Sequence, residues 1–284
     1  MKNEKEKCMK KLAVIILSMF LLVACQPAKN GVGNEGNTNA GSNGAESTTA
    51  SGSELEDRTY IVGLDDTFAP MGFRDEKGEL VGFDIELAED AAKKMGIEVE
   101  FQPIDWSMKE TELDGGNIDF IWNGYSITPE RQEKVSFSEA YLENRQIIVT
   151  QADSKVKSKA DLKDKVVTVQ AESSALEAVN KDQEFIANLS EAPVEYATNV
   201  ECFKDVENGR ADAIIVDEVL ARYYMKQNGE ENYKVLEDNF GDEKFAVGMR
   251  KDDAALVDAL NKAFAEQKED GTYDKIYAKW FSEN

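Results

Sequence analysis

Histidine is absent from the 284-residue chain, and cysteine is scarce. Without histidine the chain cannot build a Ser-His-Asp or Cys-His catalytic group, it lacks the usual general base, and most zinc sites are excluded. The cysteines are Cys8, Cys25 and Cys202, and only Cys202 lies beyond the N-terminal segment, so no disulfide can form within the folded part. We interpret Cys202 as a small buried apolar residue on a helix rather than as a reactive thiol. We expect neither a cofactor nor a metal ion.

Basic residues are in the minority. The 33 lysines and arginines face 56 aspartates and glutamates, which gives a net charge of −23. We expect no nucleic-acid partner, because binding to phosphates needs a basic face. The chain also lacks a Gly-rich loop ending in Lys-Ser/Thr and a GxGxxG pattern, which argues against nucleotide chemistry. With 42% hydrophobic residues it still has enough apolar content for a sizeable core.

The N-terminus has the pattern of a targeting segment. Five lysines between residues 2 and 11 precede an apolar run over residues 12–23, which suits a signal peptide and is short for a membrane span. The run ends in LVAC at residues 22–25, which resembles a bacterial lipobox and implies cleavage after Ala24 and lipid attachment to Cys25. The alternative is an ordinary signal peptide with an incidental cysteine. We therefore predict a lipoprotein signal peptide over residues 1–24.

Gly, Asn, Ser, Thr and Ala dominate residues 25–56. Such a segment cannot bury enough apolar surface to fold, so we predict a flexible tether behind the lipidated cysteine, with a typical span of about 30 Å. A tether of this kind holds a folded domain near the membrane and leaves it free to reorient. Together with the acidic composition, it suits a Gram-positive surface better than a Gram-negative periplasm.

Short β-like runs alternate with helical patterns from about residue 57 onward. The predicted strands are 60–64, 99–101, 118–122, 145–150, 166–169, 194–196, 213–216 and 245–249, and the predicted helices are 84–95, 106–113, 174–188, 199–208, 217–227 and 254–270. This alternation predicts an α/β fold with largely parallel sheets. In such sheets ligands bind beyond the carboxyl ends of strands, so residues that directly follow strands are the candidates for a site.

Arg131 lies at the start of a predicted helix, in the segment NGYSITPER at residues 123–131. Thr128 can cap this helix, and Pro129 suits its first position. The free N–H groups and positive dipole of the helix start, together with the planar guanidinium group, suit a carboxylate. Most arginines in such a setting lie on the surface or form internal ion pairs, so both interpretations stay open on the local sequence.

Two further segments place polar side chains directly after strands. Ser174 and Glu177 have the spacing of a capping box, so they cap a helix, offer hydroxyl and N–H groups to an anion, or do both. Asp217 follows the apolar strand 213–216, where it either starts a helix or binds an ammonium group. Local sequence does not decide between these interpretations.

Several motifs occur together in one order along the chain. They read GFDIELA at residues 82–88, IDW at 104–106, IDFI at 118–121, SITPER at 126–131, VSFSEAY at 135–141, GRADA at 209–213 and DGTY at 270–273. In this order, from about residue 58 to residue 281, the chain resembles the bacterial solute-binding protein family 3, the polar amino-acid-binding lipoproteins of ABC importers. The resemblance implies two doubly wound α/β lobes with a two-strand hinge, the type II periplasmic-binding-protein or Venus-flytrap fold.

The resemblance also implies where the lobes begin and end. Residues 57–146 and 246–284 would form lobe one, and residues 147–245 would form lobe two, with the crossings near 146–150 and 244–247. The ligand would lie between the lobes, and hinge closure would bury it.

Ligand-binding roles follow from the same resemblance. The α-carboxylate of an amino acid would be held by Arg131, Ser126, Ser173 and Ser174 with the backbone of Gly124, the α-ammonium by Asp217, and the side chain would lie among Phe68, Trp106, Asp65, Asn123 and Gln170. Core packing is the alternative for the two aromatic rings. A zwitterion needs both charges paired once water leaves, so only a closed form with both lobes in place satisfies it.

One position departs from the family, because Glu172 stands where a glycine is usual.

The predicted function is an extracytoplasmic lipoprotein that captures a polar L-amino acid, as a monomer, and delivers it to the permease and ATPase of an ABC importer. Glutamine, cystine and the basic amino acids all stay open as ligands. The alternatives are an enzyme on the same fold, with Glu172 as the conspicuous acid, and an amino-acid sensor domain without transport.

Overall fold

The computed structural model describes residues 55–282, so the predicted signal peptide, Cys25 and nearly all of the tether lie outside the described residues. The strands are β1 Thr59–Leu64, β2 Thr67–Phe68, β3 Gly72–Arg74, β4 Leu80–Val81, β5 Glu98–Pro103, β6 Phe120–Ile121, β7 Ser136–Phe137, β8 Leu142–Gln151, β9 Val167–Gln170, β10 Val194–Tyr196, β11 Ala213–Asp217, β12 Tyr233–Phe245 and β13 Gly248–Met249. The α-helices are α1 Phe83–Met95, α2 Lys109–Asp114, α3 Pro129–Lys134, α4 Ser174–Lys181, α5 Gln183–Asn188, α6 Asn199–Glu207, α7 Glu218–Asn228, α8 Ala254–Glu269 and α9 Thr272–Phe281, with short 3₁₀ helices at Trp106–Met108, Lys159–Leu162 and Glu230–Asn232.

Two five-stranded sheets define two lobes. The first sheet has the order β5-β1-β6-β13-β7 and the second the order β10-β9-β11-β8-β12, while β2, β3 and β4 form a small third sheet. In each five-stranded sheet four strands run in one direction, and one strand, β13 in the first sheet and β8 in the second, runs against them. The predicted two-lobe α/β fold is confirmed. Below, lobe one is the part around the first sheet and lobe two the part around the second. The residue numbers predicted for their boundaries stay a prediction.

The packing of strand β11 explains why its sequence is a continuous apolar run. Ala213 and Ile215 pack in one buried cluster, together with the apolar side of α4, whereas Ile214 and Val216 pack in a second buried cluster. Alternate residues of a strand point to opposite faces, and a strand covered on both faces is apolar throughout. Asp217 is therefore the last residue of a central strand that is covered on both faces.

The long strands β8 and β12 form an antiparallel ribbon that continues toward lobe one. Leu142 pairs with Phe245 at one end and Gln151 with Tyr233 at the other, with register shifts on either side of Asn239. The predicted strand 145–150 lies within β8, but for β12 we predicted only residues 245–249 as a strand. The chain instead leaves the second sheet at Phe245 and enters the first sheet at Gly248, so the predicted strand is in fact the crossing between two sheets.

The helices differ from the prediction at two places. The predicted helix 174–188 is two helices, because Asp182 has non-helical backbone angles and caps the second one, accepting a hydrogen bond from the N–H of Phe185 at 2.9 Å. Helix α9 was not predicted, and its aromatic residues pack around Phe83. Cys202 is buried on α6 as predicted, and burial raises the pKa of its thiol to about 12. Within residues 55–282 no helix is long and apolar enough to cross a membrane.

Candidate functional site

The eleven residues that the sequence pointed to are all buried: Asp65, Phe68, Trp106, Asn123, Gly124, Ser126, Arg131, Gln170, Ser173, Ser174 and Asp217. Most of them lie at the carboxyl ends of strands β1, β6, β9 and β11 or just after them, the position expected for a ligand site in an α/β sheet. As ligand contacts they stay predictions. The geometry below shows which of them lie together.

The loop after β6 is held in place by a buried carboxylate. The Gly124 N–H donates to Oδ2 of Asp84 at 2.8 Å, and the Tyr141 hydroxyl donates to the same oxygen at 2.8 Å. Burial raises the pKa of Asp84 to about 7. Gly124 has φ +60, and a Cβ there would lie 2.8 Å from the Phe68 ring, so both the backbone angle and the close approach require glycine.

Arg131 follows the helix start that the sequence predicted. The hydroxyl of Thr128 accepts from the Arg131 N–H at 3.2 Å, and Pro129 is the first residue of α3, so the predicted cap is confirmed. The guanidinium group is 2% exposed and lies over the ring of Tyr125, with Cζ 4.6 Å from the ring centroid. The interpretation of Arg131 as a surface residue is therefore wrong, and the buried group faces the interior between the lobes.

Both lobes contact the Arg131 guanidinium group. Nη1 donates to the Ser126 carbonyl at 3.2 Å in lobe one, and Nη2 donates to the Glu172 carbonyl at 3.4 Å in lobe two. Nε lies 3.0 Å from Oε1 of Glu177, an ion-pair distance, but its N–H is not aligned with the carboxylate. Both Nε and Oε2 of Glu177 are therefore buried without a hydrogen-bond partner.

The cap of α4 differs from the predicted one. Ser173 is the capping residue: its hydroxyl accepts from the Leu176 N–H at 3.1 Å and donates to the Gln170 carbonyl at 2.7 Å. The capping-box interpretation of Ser174 and Glu177 is wrong, because Ser173 already satisfies the helix start. Ser174 is consequently free to turn its hydroxyl into the cleft, whereas the hydroxyl of Ser173 is committed to its own loop.

Glu172 adopts the backbone conformation that its position in the family suggested. Its φ is +52, in the left-handed region where glycine is favoured, and its side chain is exposed. This geometry aims its carbonyl oxygen at two cations, since Nζ of Lys109 donates to it at 2.8 Å and Arg131 contacts it as well. Burial and the nearby Arg131 charge lower the pKa of Lys109 to about 8.

Two carboxylates, those of Asp217 and Glu243, lie side by side in the cleft, near Ser126 and Ser174. Nδ2 of Asn144 donates to Oδ1 of Asp217 at 2.7 Å and to Oε1 of Glu243 at 2.7 Å, and Nε2 of Gln146 contacts the same two oxygens at 2.8 and 2.7 Å. Burial and the charge of Glu243 raise the pKa of Asp217 well above its usual range. Asp217 directly precedes α7 but makes no side-chain cap, so starting the helix is not the use of its carboxylate.

Ser126 and Ser174 join the two lobes at this point. Their hydroxyl oxygens lie 3.0 Å apart, and the Ser126 hydroxyl donates to Oε1 of Glu243 at 2.8 Å. Ser174 lies 3.4 Å from the same oxygen of Glu243 and accepts from Gln146 at 3.2 Å. The predicted donors to a ligand carboxylate therefore lie next to the acidic pair.

A third group of polar side chains lies around Asp65. Nε2 of Gln170 donates to its Oδ2 at 2.8 Å, which links lobe two to lobe one, and Thr67 donates to Oδ1 from both its N–H and its hydroxyl. The Asp65 N–H donates to Oδ1 of Asn123 at 3.2 Å, while Nδ2 of Asn123 is buried with no partner. Asn199 holds the other end of the Gln170 amide at 2.8 Å. Burial is the main cause that raises the pKa of Asp65.

The two predicted aromatic walls have different surroundings. The Phe68 ring lies close to Gly124, where a Cβ would come within 2.8 Å of it, and it also belongs to a buried apolar cluster. The Trp106 ring packs edge-on against Tyr125 at 6.0 Å between centroids, inside a cluster of apolar core residues. Nζ of Lys109 also lies 5.3 Å from the Trp106 ring centroid. Trp106 therefore serves the core of lobe one at least in part, which was the alternative left open for it.

Sequence reasoning missed several residues of this site. They are Asp84, Lys109, Asn144, Gln146, Glu177 as an ion-pair partner, Asn199 and Glu243. Asp84 stands in the GFDIELA motif and Lys109 follows IDW, so their positions carried a signal. Glu243 had none, because the part of β12 that contains it was not predicted as a strand, and Asn144 and Gln146 meet it only through the pairing of β8 with β12.

The sequence is similar to one family of known proteins. The sequence pattern of the bacterial extracellular solute-binding proteins, family 3, matches residues 60–283. The arginine-binding extracellular protein ArtP of Bacillus subtilis is 33% identical over 233 residues, which cover 82% of this chain and 89% of that protein. Both similarities span nearly all of the described residues.

Solved structures show the same two-lobe fold. A substrate-binding protein of an ABC uptake transporter from Streptococcus pneumoniae, with bound histidine, superimposes with a TM-score of 0.78 at 41% identity and covers 79% of this chain and 93% of that one. An ancestral amino-acid-binding protein described as a precursor of cyclohexadienyl dehydratase has a TM-score of 0.70 at 37% identity, over 79% of this chain and 95% of that one.

Proposed function

This chain belongs to the bacterial extracellular solute-binding proteins, family 3, and on that premise we propose that it binds a polar L-amino acid between its two lobes. In this proposal it is a monomeric extracytoplasmic lipoprotein that delivers the amino acid to the permease and ATPase of an ABC importer. One observation carries the proposal. A buried guanidinium group approaches the same cleft as an acidic pair, in which Asp217 is buried and Glu243 is partly buried. The contact of Ser126 with Ser174 connects them across the lobes.

The two ends of the cleft suit the two charges of an amino acid. Arg131 offers a planar fork of N–H donors, which matches the α-carboxylate, and the hydroxyls of Ser126 and Ser174 add donors from both lobes. Asp217 offers a carboxylate to the α-ammonium. Because Arg131 belongs to lobe one and Asp217 to lobe two, the ligand interacts with both only when the lobes are closed, which is what a ligand needs to favour closure.

The ligand class that we favour has a basic side chain. Asp65 is 6% exposed, and among residues 55–282 it has hydroxyl and amide partners but no cation within ion-pair distance. A buried carboxylate without a cation is costly, and a guanidinium, ammonium or imidazolium group of the ligand would pair with it. The relatives described above include one named as arginine-binding and one solved with histidine.

The position of the one acid that was proposed for catalysis supports binding rather than turnover. The side chain of Glu172 is exposed, and only its backbone carbonyl reaches the cleft. A general acid needs to contact the reacting group. Mass spectrometry of L-arginine, L-histidine and L-glutamine after incubation with the protein should therefore recover each amino acid unchanged. Any product that forms with the wild type and not with a heated sample favours the enzyme.

A thermal-shift screen over the L-amino acids tests the proposed function. A ligand present at about 100 times its Kd stabilises the folded state by about 2.7 kcal/mol, which for a domain of this size raises Tm by roughly 5–10 °C. We expect a shift of this size with L-arginine, L-lysine or L-histidine and none with the D-enantiomers. If L-glutamine or L-cystine alone shifts Tm, the ligand is not an amino acid with a basic side chain. A screen without any shift would refute amino-acid binding.

Membrane attachment has its own test, because Cys25 lies outside the described residues. If the lipobox interpretation is right, Cys25→Ser moves the protein from the membrane fraction into the soluble fraction. Cys8→Ser is the matched control, since Cys8 lies inside the predicted signal peptide and should leave the distribution unchanged. Membrane retention of Cys25→Ser would contradict the lipid anchor and leave amino-acid binding untouched.

A further inference from the structure

Glu243 places a second carboxylate in the cleft from a direction that no sequence motif indicated. It lies on β12, paired with Asn144 of β8, so it comes from the ribbon between the lobes rather than from either binding loop. Its Oε1 accepts hydrogen bonds from Ser126, Asn144 and Gln146 at 2.7 to 2.8 Å. This oxygen therefore accepts hydrogen bonds from lobe one and from the ribbon, and the hydroxyl oxygen of Ser174 in lobe two lies 3.4 Å away.

The serine hydroxyls near Glu243 are already assigned to the ligand in the proposed complex. Each serine hydroxyl has a single proton to donate. Ser126 and Ser174 are the proposed donors to the α-carboxylate of the ligand, so in the complex they turn away from Glu243. Glu243 and Asp217 are then left with only the amides of Asn144 and Gln146 as donors.

No cation of the described residues replaces those donors. Arg145 lies between Asn144 and Gln146 on β8, so its side chain points to the opposite face, where it is paired with Glu218 at 2.5 Å. Lys244 is the neighbour of Glu243 on β12, and it lies 3.7 Å from the exposed Glu143. The Gln146 amide adds a further unmet acceptor, because its Oε1 is buried with no partner.

An excess of acceptors over donors, at a doubly acidic point, matches an ammonium group. Such a group carries a positive charge and three N–H donors and has no lone pair to offer. We propose that Glu243 is a second specificity-determining carboxylate, which together with Asp217 binds the α-ammonium of the ligand and makes an α-amino group a requirement of the site. This inference rests on the proposed function, since it assigns the partner of one charge of the amino acid.

A cycle that combines a ligand change with a residue change tests this pairing. Calorimetry on the full chain would compare L-arginine with 5-guanidinopentanoate, which lacks only the α-amino group, and L-glutamine with 4-carbamoylbutanoate. In the wild type we expect loss of the amino group to weaken binding by about 100-fold, and in Glu243→Gln by about tenfold or less, because contacting groups are not additive. Glu143→Gln, an exposed glutamate on the partner strand, is the control and should keep the wild-type ratio.

Each outcome of the cycle has a defined meaning. A Glu243→Gln protein that keeps the wild-type ratio overturns this inference and leaves the proposed function standing. The same holds if Glu243→Gln binds the amino acid more tightly than the wild type does, since Glu243 would then only compete for the serine hydroxyls. If another amino acid is the one that raises Tm in the thermal-shift screen, that amino acid and its deamino analogue are used in the cycle. A wild type that binds none of the compounds and that no L-amino acid stabilises refutes the proposed function and this inference together. Glu243→Asp keeps the charge on a shorter side chain, so its affinity ratio should fall between those of the wild type and Glu243→Gln. It replaces Glu243→Gln in the cycle if Glu243→Gln does not fold.

Discussion

The two charged ends of the cleft differ in how far the protein itself neutralises them. The guanidinium group of Arg131 lies on an aromatic ring, contacts two carbonyls and is within ion-pair distance of Glu177. The acidic end contains Asp217 and Glu243, and within residues 55–282 its donors are only neutral amides and hydroxyls. The cationic end is thus built to be stable before a ligand arrives, whereas the acidic end is incomplete without an incoming cation.

This difference implies distinct costs of binding at the two ends. A ligand carboxylate has to share Arg131 with Glu177, and the gain is a better-aligned hydrogen bond for the unpartnered Nε. A ligand ammonium supplies the acidic pair with the positive charge that it lacks. Variants that remove one end at a time measure whether this comparison is right.

The largest effect is expected from Arg131→Ala. The variant loses the carboxylate fork and leaves the half-buried Glu177 unpaired, so we expect a loss of at least about 2 kcal/mol in binding, or about 30-fold in Kd. Calorimetry with the amino acid found in the screen measures it. The double variant Arg131→Ala with Glu177→Gln separates binding from folding, because it removes the unpaired carboxylate and should regain stability without regaining affinity. Wild-type affinity in Arg131→Ala would refute the assignment of the cationic end.

Asp217→Asn should reduce affinity by about tenfold, less than Arg131→Ala, because Glu243 still offers a charge to the ammonium group.

The pH dependence of ligand affinity has a definite sign. The raised pKa of Asp217 means that the unliganded site holds a proton at a pH where an ordinary aspartate has lost it, and the ligand ammonium has to displace that proton. Affinity of the wild type should therefore rise with pH through this pKa, and Asp217→Asn should have a flatter profile. An unchanged profile in the variant would assign the titration to another group.

Lys109→Met tests a buried cation of the cationic end by its effect on stability. The pKa of Lys109 falls from its ordinary 10.5 to about 8 on folding, so between these values the unfolded chain binds a proton that the folded protein does not. The free energy of unfolding of the wild type, relative to that of Lys109→Met, should rise with pH across this window by up to about 3 kcal/mol. Urea titrations at several pH values would measure it. A difference that does not vary with pH would contradict the burial of a charged Lys109.

The smallest effect is expected from Glu172→Gly. Glycine adopts the left-handed conformation at φ +52 without strain, which should stabilise the folded state by about 0.5–1 kcal/mol despite the greater freedom of glycine in the unfolded chain. Glu172→Ala is the matched control, because it removes the charge and keeps the strain. Equal stability changes in the two variants would attribute the effect to the charge, and affinity should stay unchanged in both since the side chain is exposed.

The parts of the site that the sequence predicted depend on local signals. Thr128 and Pro129 define the start of α3 within a few residues, and the apolar run before Asp217 defines a strand end. The sequence analysis was wrong to choose Ser174 rather than Ser173 as the cap, because either serine suits the position and the backbone of the preceding loop decides. Local capping rules therefore locate a helix start but not the residue that faces the ligand.

The parts that the sequence missed depend on contacts between distant segments. Strand β12 contains Glu237, Asp238, Asn239 and Gly241, residues that are rare in strands, and it is extended because it pairs with β8 about a hundred residues earlier. Glu243 and Asn144 meet only through that pairing. A single sequence carries no signal for such a meeting, which is why the second acidic residue was not predicted.

The central claim is that the closed cleft recognises both charges of an amino acid, and one calorimetric comparison tests it most directly. The unmodified protein would be titrated with L-arginine, L-histidine and L-glutamine, and with the corresponding amines that lack the carboxylate, namely agmatine, histamine and 4-aminobutanamide. We expect at least one of the amino acids to bind, and its amine to bind at least about 30-fold more weakly because Arg131 loses its partner. An amine that binds as tightly as its amino acid, or a protein that binds none of the six compounds and is stabilised by no L-amino acid, would contradict this account.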